Sequence, residues 1–270
     1  MTAPGLSVLM PVYNGASFVD AALESLQGQS FTDLEIIVIV DSRSVDGTRE
    51  KVVDKTSHDG RIRLIDLTER HGLFRALNVG LASAAGRYIT FLDADDLCPA
   101  GRIARQVEKL DADPDAGAMV GEVLLFEKLG ADLQPAPGTR WARVLSPSLG
   151  AGTFRRAAVQ VVGNFDESFS HSADIDFLLR LHDSDWPIRT EPELGLLCRK
   201  HARNMSGDPG DVQRYLLRAL QQSIKRRRDS GKPYAAMPFA LMKPLSEIEG
   251  SENGFPGHRT KDLFRRDKSR

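Results

Sequence analysis

Cysteine is nearly absent: Cys98 and Cys198 are the only two in 270 residues. That is too few for a disulfide framework, and nothing in their placement suggests a zinc site. Both read as small, reduced, buried side chains. Neither a signal peptide nor a membrane span is expected. Met1-Thr2-Ala3-Pro4-Gly5 has no basic start and runs directly into a strand pattern, and no long apolar stretch follows. The expectation is a cytoplasmic protein. Excess charge of either sign is lacking, with 36 Lys and Arg against 37 Asp and Glu. A net charge of −1 argues against nucleic acid as the main partner, because binding its phosphate backbone needs a strong positive excess. There is no P-loop, no dinucleotide-binding glycine fingerprint and no internal repeat. What remains is an ordinary globular composition, 41% hydrophobic and 27% charged, in a chain long enough to bury a core without staples.

The first half alternates short apolar runs with helical patterns, the signature of βαβ units and a mostly parallel sheet. Strands are expected at 6–12, 34–40, 62–67 and 88–92. Residues 34–40 (Leu-Glu-Ile-Ile-Val-Ile-Val) read as buried on both faces. Between them, Val19, Ala22, Leu23 and Leu26 mark a helix that Ser17 can cap. Further helices are expected near 45–56, over 73–84 with Gly86 as its stop, and after Pro99 with Ile103, Val107 and Leu110 inward. The second half is less regular. Gly130, Pro135, Pro137, Gly138, Pro147 and Gly150 suggest an exposed connection or acceptor-side loop over 126–150. Short helices are expected at 174–182, with Phe177, Leu178 and Leu181 inward, and at 215–228. From Asp229 on, the chain is basic, rich in Gly and Pro, without periodicity, and reads as poorly ordered by itself.

In a parallel sheet, ligands collect beyond the carboxyl ends of the strands. Three acidic features fall there: Asp41, then Asp46, and the run Asp93-Ala94-Asp95-Asp96. One acid at a strand end is most simply a helix cap, and Asp96 before the Pro99 helix fits that role. Several packed together repel one another unless a cation sits among them, and Mg²⁺ or Mn²⁺ suits hard oxygen ligands shared with substrate phosphates.

Ser7-Val8-Leu9-Met10-Pro11-Val12-Tyr13-Asn14-Gly15 resembles the opening strand of the family 2 glycosyltransferases, which have the GT-A fold. Several further stretches resemble the family in order and spacing: 29–35, Gly72-Leu73 with 76–81, 86–96, 162–167, 173–181, and the closing Arg199-Lys200-His201-Ala202-Arg203-Asn204-Met205-Ser206. The resemblance covers about residues 5–207. It implies a Rossmann-like GT-A fold with a mostly parallel central sheet flanked by helices and a C-terminal helical extension. A GT-A domain over 1–210 is expected, with a nucleotide-sugar half at 1–125 and an acceptor-side half at 126–210, and then a basic helical extension at 211–270.

The resemblance also implies roles. Pro11, Val12, Tyr13 and Asp41 would line the base pocket, and Arg70 and Asn78 would contact base or ribose, with capping or packing the alternative for Asn78. Asp93, beside Ala94, would hold the ribose. Asp95 would hold Mn²⁺ or Mg²⁺, with Asp96 as alternative or support, and His201 would sit near the diphosphate and metal. Asp174 matches the family's catalytic base. An inverting transfer needs one carboxylate to take the acceptor hydroxyl proton, although a helix N-cap would equally place an Asp there; Asp176 is the second choice. The implied partners are a nucleotide-diphosphate sugar and a saccharide or lipid-linked acceptor. Lys225-Arg226-Arg227-Arg228 reads either as a solvated helix end favoured by the dipole or as a contact with an anionic membrane.

Two positions depart from the family pattern. Ser42 stands where a second acid is usual, which leaves uridine, thymidine and guanosine donors all open. Ala173 stands where a Glu usually precedes the base. These departures keep a catalytically impaired nucleotide-sugar-binding protein as an alternative. A nucleotidyltransferase is disfavoured by the missing basic, Gly-rich loop at the first strand.

Overall fold

The computed structural model describes residues 3–68, 72–201, 209–233, 237, 249 and 250. Strands β1 (Leu6–Val12), β2 (Leu34–Asp41), β3 (Ile62–Leu67) and β4 (Tyr88–Phe91) alternate with helices α1 (Val19–Gln27), α2 (Thr48–His58) and α3 (Gly72–Ser83). The four strands pair in parallel in the order β3-β2-β1-β4, with Leu6 opposite both Leu34 and Tyr88. β1 and β2 are buried along their whole length, because α3 packs against both strands and α2 against β2. Unbroken aliphatic runs are what a doubly covered parallel strand requires.

After α4 (Arg102–Ala112) the sheet continues with β5 (Ala118–Phe126), β6 (Trp141–Val144), β7 (Gly152–Arg155), helices α5 (Arg156–Val162) and α6 (Ala173–Asp183), and β8 (Ile188–Arg199). β7 joins β4 antiparallel and β5 joins β7 antiparallel, while β8 runs parallel to β5 along its length. Last come α7 (Pro209–Asp229) and a two-residue strand, β9 (Glu249–Gly250), against β6. The 126–150 stretch, read as an open connection, thus contributes β6, whose Val144 lies opposite Val123.

Three local expectations are corrected. Ser17 does not cap α1: the cap residue is Phe18, and the backbone N–H groups of Phe18 and Val19 both donate to Gly15 O at 2.9 Å. Gly86 does not stop α3, which ends three residues earlier. It lets the chain press against β1, since a Cβ there would lie 2.4 Å from Ser7 N. The Lys225–Arg228 run is not a free helix end either. Arg226 Nε donates to Asp183 Oδ2 at 2.9 Å and Arg227 Nε to Asp183 Oδ1 at 2.6 Å, so two of the four cations bind α7 to α6. An apolar seam of Phe169, Ala173, Leu179 and Ala219 backs this contact. Among the described residues, no helix is long and apolar enough to cross a membrane.

Candidate active site

The acids lie at the carboxyl end of β4. Leu92 is buried and the chain then turns, with Asp96 N donating to Asp93 O at 3.0 Å. The turn is pinned from across the sheet. Leu97 and Leu197 exchange two backbone hydrogen bonds of 3.0 Å, Arg199 N donates to Asp96 Oδ1 at 2.8 Å, and Arg199 Nε to Asp95 O at 3.1 Å. Asp93, Asp95 and Asp96 each present a carboxylate oxygen within 4.8 Å of the others. Asp96 is buried, Asp95 half-buried, and Asp93 keeps a face to solvent although protein surrounds its other sides.

This packing changes proton affinity. The protein around Asp93, and then the charges of Asp95 and Asp174, push its carboxyl up to about 7 against an opposing pull from Lys200. Burial, with Asp93 and Asp95 adding to it, raises Asp96 well above the carboxylate range. Acids that hold protons this firmly are where a divalent cation relieves the repulsion. Three hard oxygens converging from one turn fit such an ion. His201 stands beside them, its Nε2 3.0 Å from Asp95 Oδ2 and its ring stacked on Phe18 at 4.8 Å and 15°.

Asp174 sits in the first turn of α6 and is not its cap. The cap position is Ser172, at φ +62°, with no side-chain hydrogen bond, so the capping alternative falls. A non-glycine residue in the left-handed region is strained and marks a site where geometry is imposed. Burial raises the Asp174 carboxyl, and the N–H groups of Ile175 and of Asp174 itself only partly offset it. Its charge acts on Asp93, so Asp174 lies near the acid turn. α6 is set there by Phe177, which stacks on Phe165 at 4.7 Å and meets Phe91 and Phe154 edge-on at 6.3 and 6.2 Å. Asp176, the second choice for the base, is 1% exposed and accepts from Arg180 Nε at 2.8 Å.

The remaining expected residues divide. Pro11 and Val12 are buried in β1, and Gly15 brings its loop against Ala94, to which a Cβ would approach within 3.6 Å. Tyr13 is 55% exposed. Asp41, at the end of β2, is clasped by Arg43, whose N, Nε and Nη2 lie 3.0, 2.9 and 2.6 Å from its oxygens. Asp46 is engaged in the fold: it accepts from Ala16 N at 3.0 Å and Thr48 N at 3.1 Å. The Asn78 amide is committed to packing, donating to Phe165 O at 3.0 Å and accepting from Phe165 N at 2.8 Å. Arg70 lies outside the described residues. Sequence reasoning passed over Arg43, Phe18 and Arg199 as individual residues. Arg199 at least stood in the quoted closing motif, whereas nothing in the spacing marks Phe18 as a partner for a ring 183 positions away.

Ala173 is buried in the seam with Phe169, Leu179 and Ala219. A glutamate there would place a charge in an apolar contact, so the missing acid reflects core packing around α7.

The glycosyl transferase family 2 sequence model matches residues 7–144. A putative teichuronic acid biosynthesis glycosyltransferase of Bacillus subtilis is 37% identical over 105 residues, covering 39% of this chain and 41% of that protein. A Campylobacter jejuni GalNAc(5)-diNAcBac-PP-undecaprenol beta-1,3-glucosyltransferase is 36% identical over 107 residues, covering 39% and 34%. The alignments thus span about two fifths or less of these relatives' lengths. Among solved structures, Staphylococcus aureus TarS 1-349 with UDP superposes with a TM-score of 0.60 at 19% identity, covering 81% of this chain and 65% of that one. The Pyrobaculum calidifontis mannosyltransferase PcManGT, with GDP-Man and Mn²⁺, gives 0.58 at 22% identity, covering 88% and 67%. At those identities the likeness establishes the GT-A fold. With the family model matching just over half of its length, the chain belongs to glycosyl transferase family 2.

Proposed function

We propose that the protein is an inverting, metal-dependent glycosyltransferase that moves a sugar from a nucleotide diphosphate to the hydroxyl of a saccharide or lipid-linked acceptor. The observation that carries this is the convergence of three carboxylates in the acid turn, with Asp174 near enough for its charge to act on Asp93. Asp95, with Asp93, Asp96 and His201 around it, would hold Mn²⁺ or Mg²⁺. Bound there, the ion would stabilise the charge growing on the departing nucleotide diphosphate. Asp174 accepts the acceptor hydroxyl proton, and its raised proton affinity makes it a stronger base than an exposed aspartate. Family membership and the solved relatives with UDP and GDP-Man support a nucleotide-sugar donor. The undecaprenol-linked name of one relative supports a lipid-linked acceptor. Membrane contact through the basic run is the weaker part, since only Lys225 and Arg228 of the four remain on the exposed face.

The test is donor turnover with Mn²⁺ alongside thermal shift by UDP, GDP and dTDP. Asp95→Asn should abolish the metal-dependent part of the nucleotide's shift. Asp174→Asn should keep that shift and lose at least about a hundredfold in turnover. An Asp174→Asn variant with wild-type turnover would refute the assignment, and wild type that binds nucleotide without turning it over would favour the impaired binder.

A further inference from the structure

We propose that Arg43 reads the donor's base and selects a keto base, one with a carbonyl on the ring edge far from the sugar. This rests on the nucleotide-sugar reading above. If the acid turn at the end of β4 holds the diphosphate, the rest of the nucleotide must lie along neighbouring carboxyl ends. On the other side, β7 is antiparallel to β4 and presents its opposite end, and residues 197–201 close that flank. The nucleotide therefore extends over the ends of β1 and β2, toward Tyr13 and Asp41.

There the exposed surfaces are an aromatic ring and a cation. Tyr13 is 55% exposed, and the Arg43 guanidinium carbon lies 4.9 Å from its ring centroid. The Arg43 side chain is 39% exposed, whereas the Asp41 side chain behind it is 10% exposed. Expectation gave the base to Asp41, but both of its oxygens face the guanidinium, at 2.9 and 2.6 Å. A base settling against Tyr13 meets Arg43 first.

A guanidinium has five N–H donors and no acceptor. Asp41 engages the Nε and one Nη2 hydrogen, so a further acceptor must be met by the remaining hydrogens of Nη1 and Nη2. O4 of uracil or thymine and O6 of guanine accept from such hydrogens. The N4 amino group of cytosine and the N6 amino group of adenine set donor against donor.

Calorimetric titration with Mn²⁺ present reads this directly, comparing UDP with CDP and GDP with ADP, pairs in which an amino group replaces the distal carbonyl. Wild type should prefer the keto member of each pair by about tenfold or more, the size of one charge-assisted hydrogen bond. Arg43→Ala should collapse that preference. Arg43→Lys, a point charge without the fork, should fall between. An Arg43→Ala ratio equal to wild type would overturn the proposal and leave Arg43 as a structural clasp for Asp41. Binding of none of the four would remove the nucleotide-sugar reading itself, and the proposal with it.

Discussion

Replacing Asp183 by Ala should destabilise the protein by about 3 kcal/mol, since breaking a buried ion pair leaves its partner uncompensated and costs about 3–5 kcal/mol. The carboxylate is 5% exposed at the end of α6. It accepts from Ser223 Oγ at 2.9 Å, Arg226 Nε at 2.9 Å and Arg227 Nε at 2.6 Å. The two arginines differ in cover, at 10% exposure for Arg227 and 32% for Arg226. Water therefore reaches part of the cluster, and the low end of the range applies. For a domain of this size that corresponds to a fall in Tm of about 6–12 °C. Thermal and urea unfolding followed by circular dichroism would measure it, with Lys225→Ala and Arg228→Ala as outward-facing controls. In a double-mutant cycle, Arg227→Ala and Asp183→Ala together should cost clearly less than the sum of the two. The reasoning fails if Asp183→Ala stays within about 0.5 kcal/mol of wild type, the ordinary range for a surface substitution, or if the controls cost as much.

Two further outcomes test the packing under the site. Gly86→Ala should cost about 2 kcal/mol or more in urea unfolding, because its Cβ would meet the β1 backbone at 2.4 Å; a neutral result would mean β1 and the 84–88 segment can part without loss. Burial alone would raise the Glu35 carboxyl, but hydrogen bonds from Ser7, Ala85 N and Arg63 outweigh it and hold it below the ordinary glutamate value. A depressed folded value stabilises fully above the unfolded pKa, about 4.3, and that contribution disappears as pH falls through the folded value. Glu35→Gln should therefore flatten stability against pH below about 5, and an unchanged acid limb would contradict the assignment.

The parallel half of the fold was legible because its aliphatic strands alternate with helices, of which α1, α3 and α4 carry an apolar stripe. The acid turn was legible for a related reason: carboxylates directly after a buried apolar strand can only emerge at its carboxyl end. The second half hid its order. β8 reads Ile188-Arg189-Thr190-Glu191-Pro192-Glu193-Leu194-Gly195 before turning apolar. Its buried Glu191 is tolerated because Arg105, Gln106 and Lys109 of α4 reach it at 3.0, 2.9 and 2.7 Å, partners more than eighty residues away. The same holds for Arg226 and Arg227, whose charge pattern suggests solvent until Asp183 is brought against them. Asn78 and Asp46 showed the reverse: polar residues singled out in the sequence whose hydrogen bonds serve the fold.

The acid turn and Asp174, the two parts of the proposed site, answer to different parts of the chain. The acid turn belongs to the first half but is held by β8, through Leu97 with Leu197 and Asp96 with Arg199. Asp174 belongs to the second half but is aimed by Phe177 against Phe91 of β4, and its helix is gripped from behind by α7. A change in α7 therefore has a route to the proposed base that bypasses the acid turn. Asp183→Ala should lower turnover through the placement of Asp174 while leaving the metal-dependent nucleotide shift in place, because among the described residues the side-chain partners of Asp183 are Ser223, Arg226 and Arg227, away from residues 93–96. Equal loss of both would mean that the two supports move as one body. Loss of turnover alone would place α7, the segment whose charges first suggested a surface, among the elements that set the chemistry.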